Sequence, residues 1–433
     1  MTKLFLAAGA LAVILPSPAF AQDHDHHTAD HGSMDHDTMD RDTMDHGAMA
    51  EMNDHAGPAP FGEGTGTARL PGNDGGHAGL HLASREWMVM AHGYVTAQYT
   101  DHGGPRGDDM IYATSMAMLS AERETGWGRV QLKSMFSLEP LMGARGYPNL
   151  FATGETAGGV ALVDRQHPHD LFMELAARVD ADIGSGATAF LYGGPVGEPA
   201  LGPSAFMHRG SARYNPEPPI SHHWFDSTHI TYGVVTAGIS APSWQIEASA
   251  FRGQEPDEER WGIETPKLDS WSIRASWNPD PSLSFQASYG ELHEPEALHP
   301  GEDEHRTTFS AQYSRGGFSA LAAFSAKDRE SGDVLTAWLA EANWNLDRHH
   351  TLFGRIENVA NDELFPDHHD RLHDVTFRIT KFQAGYAFRL PIGPLELALG
   401  GSLAAYAKPT ALDAYYGDDP IGYTLFTRLS LGS

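Results

Sequence analysis

Hydrophobic and polar residues alternate from Glu86 to the end of the chain in about sixteen segments. In a clear example, apolar and polar positions follow one another strictly: Trp244, Ile246, Ala248 and Ala250 alternate with Gln245, Glu247 and Ser249. The same alternation puts Met173 on the apolar face of segment 171–182. A period of two places the two sets on opposite faces of a β-strand, so the pattern predicts an all-β fold for residues 86–433.

The connections between these segments are alternately short and long. The short ones are 125–126, 184–186, 242–243, 278–281, 315–317, 346–349 and 391–394. The long ones are 101–108, 140–170, 194–227, 253–267, 292–305, 328–333, 360–373 and 408–420. Tight turns at one end and large loops at the other are typical of outer-membrane barrels. We therefore predict a transmembrane antiparallel β-barrel of about 16 strands, with 14 also compatible with the pattern.

A soluble β-sandwich or β-propeller would also contain many amphipathic strands. Neither explains the consistent asymmetry of the connections. Aromatic residues also lie near strand ends on the apolar face, as they do at membrane interfaces: Trp244, Trp271, Trp277, Trp338, Trp344 and Tyr423. Both features favour the membrane barrel.

The first 21 residues have the organisation of a secretion signal. A basic start at Lys3 precedes an apolar stretch over 4–15, and Ala19 and Ala21 provide a small-residue cleavage site. The chain has no cysteine, so any metal chemistry must use His, Met and carboxylates. Its net charge of −28 argues against a nucleic-acid partner.

Residues 22–85 are rich in Asp, His, Met and Gly and show neither strand nor helix periodicity, so we predict a disordered tail. Methionine recurs every fifth residue from 34 to 49. Thioethers suit Cu(I) or Ag(I), and imidazoles bind copper in both oxidation states. The candidate metal ligands are His24, His26, His27, His31, Met34, His36, Met39, Met44, His46, Met49, Met52 and His55. The alternative is a hydrophilic linker in which methionine is incidental.

This tail resembles that of the copper-resistance protein B group. The likeness covers residues 22–55, in composition and in units such as Met34-Asp35-His36 and Met44-Asp45-His46. The resemblance implies an outer-membrane barrel whose periplasmic tail binds copper and contributes to copper tolerance. No motif in the barrel itself carries it.

A second group of soft ligands lies on the polar face of the first two predicted strands, near the periplasmic mouth. Its members are Met88, Met90, His92, Met116 and Met118. Neighbouring antiparallel strands bring such residues to within about 5 Å of one another, so these could receive Cu(I) from the tail. The alternative is that the methionines only fill space or face lipid.

Two of the long loops carry histidine-rich runs, 164–170 and 221–229. The candidate ligands of a loop metal site are His167, His169, His222 and His223. Loops of this length commonly fold into a barrel and narrow it, in which case Arg165, Arg209 and Arg213 would set ion selectivity. Loop histidines also serve as ordinary polar surface.

We find no zinc-protease helix, phosphate loop or nucleophile elbow, and therefore predict that the protein is not an enzyme. The predicted function is copper or silver handling, with metal ions, outer-membrane lipid and a periplasmic efflux or copper-handling protein as partners, in a monomer or trimer. The alternatives are a general or substrate-specific porin whose tail is a tether or metal buffer, and a barrel anchor that binds an efflux protein.

Overall fold

The chain forms a closed antiparallel barrel of sixteen strands in a computed structural model that describes residues 59–74 and 79–432. The strands are β1 Trp87–His102, β2 Asp109–Thr125, β3 Gly128–Phe136, β4 Phe172–Gly184, β5 Ala187–Gly197, β6 Thr231–Ala241, β7 Trp244–Phe251, β8 Ser270–Trp277, β9 Leu283–Leu292, β10 Glu304–Arg315, β11 Phe318–Arg329, β12 Leu335–Asn345, β13 His350–Asn361, β14 Phe377–Ile392, β15 Leu395–Ala407 and β16 Ile421–Leu431. Each strand pairs with the next, and β16 pairs with β1 to close the wall. The predicted fold class and the larger strand number are confirmed.

Short turns lie at one end of the barrel, which we call the turn end, and long loops at the other, the loop end. The remaining strands are Phe61–Glu63, Arg69–Pro71, Leu80–Ser84, Tyr147–Pro148, Glu155–Ala157, Val160–Leu162 and Arg165–Gln166. The helical turns are Gly72–Asp74, Glu139–Met142, Phe206–His208, Gly210–Ala212, α1 His222–Phe225, Ser227–His229, Thr410–Leu412 and α2 Asp413–Tyr416. Within the described ranges, every helix is too short or too polar to cross a membrane.

The wall is apolar outside and polar inside. On β7, Trp244 and Ile246 are exposed, whereas Gln245 and Glu247 are buried, as the alternation predicts. Large exposed hydrophobic side chains occur on strands all around the barrel, including Trp338 and Leu403. Such an outer surface would be unfavourable in water and is that of a transmembrane barrel.

Met173 is an exception to the predicted alternation. The sequence places it on the apolar outer face of β4, but it is fully buried inside the barrel. The register between β4 and β3 shifts between Phe172 and Glu174, where a β-bulge adds one residue to β4. A bulge turns the following side chains to the other face, which moves Met173 inward.

Two long loops, 137–171 and 198–230, fold into the barrel. Ile220, Trp224 and Phe225 from the second loop join a hydrophobic cluster with Leu339 and Ile379 of the inner wall. These loops therefore narrow the lumen, as predicted, because their side chains pack directly against the inner wall.

Arg209 does not have the predicted role of a selectivity residue. Its side chain is fully buried, and its guanidinium pairs with Asp226 at 3.1 Å and Glu341 at 2.7 Å. An arginine neutralised by two carboxylates cannot present a free charge to a passing ion. Arg165 instead pairs with Asp108 at 2.6 Å, and Arg213 lines a cavity at the turn end.

The predicted disordered tail extended to residue 85, but the structure places residues 59–74 inside the barrel. Phe61–Glu63 and Arg69–Pro71 pair as a small hairpin, and Leu80–Ser84 pairs antiparallel with the first residues of β1 at the turn end. The sequence of the hairpin shows no alternation of apolar and polar residues, because the hairpin packs against polar groups of the inner wall and not against an apolar core.

The hairpin is held by hydrogen bonds to the inner wall and an inward loop. Thr67 Oγ1 donates to Glu247 at 2.5 Å and accepts from Arg274 at 3.0 Å. Thr65 Oγ1 contacts Ser204 Oγ at 3.1 Å and accepts from the backbone N–H of Ala205 at 2.9 Å. The hairpin is thus an ordered part of the barrel interior.

Candidate metal centres

Three neighbouring strands align a row of soft ligands on the inner wall at the turn end. In the sheet register, His92 of β1 lies opposite Met118 of β2, and Met118 lies opposite Met135 of β3. The polar face of β3, which also carries Gln131 and Lys133, puts Met135 in the same row. His92 Nε2 is 3.2 Å from Met118 Sδ.

His208 completes this group from an inward loop. Its Nε2 lies 3.3 Å from Met135 Sδ, and its ring meets that of His92 edge to face at 5.4 Å. We call His92, Met118, Met135 and His208 the mouth cluster. Burial, together with the nearby His92, lowers the pKa of His208 well below its usual value, so this imidazole is neutral and has a lone pair available.

His92, Met118 and His208 of the mouth cluster line a cavity of about 390 Å³ at the turn end. Met88, Met90 and Met116 also line this cavity, so the structure brings together all five ligands predicted near the barrel mouth. Ala59 and Pro60, where the described chain begins, lie in the same wall. Sequence reasoning missed Met135 and His208; the alternation on β3 could have identified Met135, whereas His208 lies in a loop with no periodic signal.

The candidate ligands of the tail, from His24 to His55, lie outside the described residues. Metal binding by the tail therefore stays a prediction.

Deeper in the barrel, the two histidine-rich runs meet. The four predicted loop ligands are joined by a fifth, His229, and all five are buried. The centroid distances are 5.7 Å for His167 to both His222 and His223, 5.3 Å for His222 to His223, and 5.2 Å for His229 to both His169 and His222. We call these five residues the histidine cluster. His229 belongs to the predicted 221–229 run and was overlooked there.

Four of these rings have one nitrogen held and the other unpaired. Nδ1 of His167 lies 3.2 Å from Pro168 O, and Nδ1 of His169 lies 2.9 Å from Glu139 Oε2. Nδ1 of His223 lies 3.2 Å from Glu255 Oε1, and Nδ1 of His229 lies 2.6 Å from Asp226 O. The Nε2 atoms of these four rings, and Nδ1 of His222, are buried without a hydrogen-bond partner in the described part of the chain.

The pKa values within the histidine cluster shift in opposite directions. Burial lowers the pKa of His229 to about 3 and those of His167 and His222 well below the usual value. Burial also acts on His223 and His169, but the carboxylates of Glu255 and Glu139 outweigh it and raise their pKa values, to about 9 for His223. A cation bound here would displace protons from these two rings.

Glu155 supplies a carboxylate beside the histidine cluster. Its Oε1 is 3.5 Å from His167 Nε2, while Oε2 accepts a hydrogen bond from Arg260 at 2.8 Å. Gly154, with φ of +115°, allows the ring of His223 to lie close to the backbone, because a Cβ there would be 2.7 Å from ring atoms of His223.

Two other His and carboxylate groups in the described residues have metal-ligand spacing: His223 with Glu255 and Glu296, and Glu296 with His299 and Glu363. Both depend on Glu296, whose carboxylate pairs with Lys327. A lysine ammonium at this carboxylate competes with any bound cation, so these groups are weaker candidates.

The barrel is similar to solved porins in fold. OmpF of Salmonella typhi, in complex with daunomycin, has a TM-score of 0.52 and 8% identity, over 81% of this chain and 100% of that chain. An anion-selective porin from Comamonas acidovorans has a TM-score of 0.51 and 12% identity, over 80% and 100%. No family model and no curated protein matches the sequence. At such low identity the likeness shows the fold alone.

Proposed function

We propose that this protein is an outer-membrane barrel that binds Cu(I) or Ag(I) through its tail and its mouth cluster, and contributes to copper sequestration, efflux or tolerance. The observation that carries the proposal is the pairing of two imidazoles with two thioethers at the turn end. Thioether and imidazole donors together favour soft monovalent ions. Donors that share one ion at bond lengths of about 2.0–2.3 Å lie roughly 3–4 Å apart, as the nitrogen and sulfur atoms do within each of the two pairs.

The charges around the mouth cluster support a monovalent ion. Its four donors are uncharged. Carboxylates such as Glu63 and Glu122 also line the cavity, but the charged neighbours that act on His92 are Lys133, Arg213 and Arg428. Repulsion by neighbouring guanidinium groups rises with the charge of the ion, so it disfavours Cu(II) or Zn(II) more than Cu(I) or Ag(I).

The tail fits the same interpretation. Met52 stands seven positions before Ala59, which lines the mouth cavity. Seven residues span at most about 25 Å, so the tail's last methionine is tethered within reach of that cavity. Short turns of outer-membrane barrels face the periplasm, which would place the tail there.

Competition with a colorimetric Cu(I) chelator tests both parts in the full mature chain. Met118→Leu with Met135→Leu should remove the tight mouth component, and leucine at Met34, Met39, Met44 and Met49 should remove the tail component. The matched control is Met110→Leu with Met142→Leu, which lie outside the mouth cluster. Unchanged Cu(I) affinity in the first variant would exclude the mouth cluster, and in the second would exclude the tail.

A passive porin is the second candidate, because the solved structures that share the fold are porins. The inner wall is less favourable to it, since Arg274, Arg306 and Lys381 are buried against inward segments. Planar-bilayer recordings separate the two functions: a general porin should conduct common salts with or without copper.

A further inference from the structure

We propose that Glu155, His167, His222 and His223 form a binding site for a divalent transition-metal ion inside the barrel. The class of ion is a borderline one such as Zn²⁺ or Cu²⁺, held by nitrogen and oxygen. The site is separate from the mouth cluster and does not depend on the proposed function.

The geometry gathers three of these donors around one point, with the ring of His222 beside them. One ligand atom each from Glu155, His167 and His223 lies within 4.8 Å of the other two. The ring of His222 is 5.7 Å from that of His167 and 5.3 Å from that of His223. Two imidazoles and one carboxylate supply three ligands of a tetrahedral zinc-type site, and we assign the neighbouring His222 as the fourth.

The hydrogen bonds orient the imidazole rings in the way that is usual for metal-binding histidines. A metal-binding histidine almost always donates its other N–H to a carboxylate or carbonyl, which fixes the ring and the tautomer. His167 Nδ1 lies 3.2 Å from Pro168 O, and His223 Nδ1 lies 3.2 Å from Glu255 Oε1. Each ring therefore keeps its Nε2 available for a metal ion.

The unpaired nitrogens favour a ligand over a purely structural hydrogen-bond network. His167 Nε2, His223 Nε2 and His222 Nδ1 are buried and have no hydrogen-bond partner in the described ranges. Buried polar atoms are nearly always satisfied in native proteins, because leaving them unpaired is costly. An ion bound between His167 and His223 would satisfy both Nε2 atoms at once.

The charge around the histidine cluster distinguishes it from the mouth cluster. Glu155 offers Oε1 to the site while Arg260 occupies its Oε2, and Glu255 supports His223. Carboxylates beside these imidazoles stabilise a divalent ion, and the three histidines with Glu155 contribute no sulfur. This donor set selects Zn²⁺ or Cu²⁺ over Ag(I).

The test counts ions retained by the full mature chain, purified in detergent, loaded with Zn²⁺ and desalted in the presence of a chelator. The variant is His167→Asn with His223→Asn, because the asparagine amide keeps a donor near the Nδ1 position and removes Nε2. Every protein carries the same tail, so its contribution cancels. Elemental analysis should show about one Zn²⁺ per chain fewer in the variant than in wild type.

Co²⁺ provides a second readout, since a four-coordinate histidine site gives an intense visible absorption that hydrated Co²⁺ lacks. The control is His293→Gln with His369→Gln, two exposed histidines in loops. It should retain the wild-type ion count and spectrum. Equal retention of Zn²⁺ and an equal Co²⁺ spectrum in wild type and the His167/His223 variant would overturn the proposal.

A folding defect is recognised separately, by circular dichroism and thermal unfolding of the metal-free proteins. The single variant Glu155→Gln keeps all the histidines and should weaken Zn²⁺ retention, and its metal-free unfolding temperature measures separately the cost of losing the ion pair with Arg260. If the wild-type protein binds Zn²⁺ but not Cu(I), the proposed function is contradicted and this site is not. If it binds Cu(I) but does not retain Zn²⁺, only this site is contradicted.

Discussion

Nδ1 of His223 lies 3.2 Å from Oε1 of Glu255, which belongs to a different inward segment of the chain. A carboxylate in this position orients a metal-binding imidazole and increases its basicity. We predict that Glu255→Gln weakens Zn²⁺ affinity by about 10–100-fold, the usual effect of removing such a partner. Competition titration with a fluorescent zinc chelator would measure it.

The control for this prediction is Glu258→Gln. Glu258 lies three positions away on the same segment, and its carboxylate bonds to Thr156 and to the exposed backbone of Gly158 and Gly159. Its zinc affinity should equal that of wild type. If both glutamine variants bind zinc as wild type does, Glu255 has no positioning role.

The barrel follows from the sequence because each strand reports its own environment. On β7 the lipid-facing and lumen-facing residues alternate without interruption, so Ile246 and Glu247 predict their faces from local pattern alone. The pattern failed at Met173, since a bulge depends on how β4 pairs with β3 and leaves no local signal.

The metal centres are harder to predict because they join distant segments. The runs at 164–170 and 221–229 identified the histidines, but their meeting depends on two loops entering one lumen. Glu155 lies in the first of these loops but outside its histidine-rich run, and Glu255 lies in a third loop; neither has distinguishing neighbours in the sequence. The hairpin at residues 59–74 was missed for the same reason: Thr67 is stabilised by Glu247, which is 180 positions away.

The outer wall gives a test of membrane insertion. Phe309 lies in the middle of β10 and is 52% exposed on the outer face. Phe309→Arg should destabilise the folded barrel by about 2–4 kcal/mol, the cost of a cation at the bilayer midplane. Urea-dependent folding into lipid vesicles would measure this. Phe309→Leu should remain close to wild type, and equal stability of the two variants would contradict a lipid-facing position.

The hairpin should be separable from the barrel wall. Thr65→Val with Thr67→Val keeps the side-chain shape but removes hydroxyls bonded to Ser204, Ala205 and Glu247. Each buried partner left unpaired costs about 1–3 kcal/mol, so the hairpin should open more often. Hydrogen exchange over residues 61–71 should accelerate, and bilayer conductance should rise.

The control for the hairpin is Thr410→Val, at an exposed loop position. It should leave exchange and conductance unchanged. Exchange of the amides in β7 should stay slow in all three proteins, because the wall pairing is intact. Rapid exchange of β7 in the double variant would mean that the hairpin supports the wall itself.

Phe206 lies between the two metal centres. Its ring is 6.2 Å from that of His169 and 5.8 Å from that of His222, and two residues later His208 belongs to the mouth cluster. A cavity of about 20 Å³ lined by Phe206, Met207 and His169 adjoins this point, and such a volume holds about one water molecule. We therefore expect the ring to obstruct a short route from the mouth cavity to the histidine cluster.

We predict that Phe206→Ala increases the rate of Co²⁺ loading at the histidine cluster several-fold, with less change in affinity, because the substitution enlarges the route and removes no ligand. Stopped-flow absorption would follow loading. Phe353→Ala, in a separate cluster with Tyr214, is the matched truncation. Equal acceleration in both variants would indicate general loosening of the barrel, and no acceleration in Phe206→Ala would mean that ions reach the histidine cluster from the loop end.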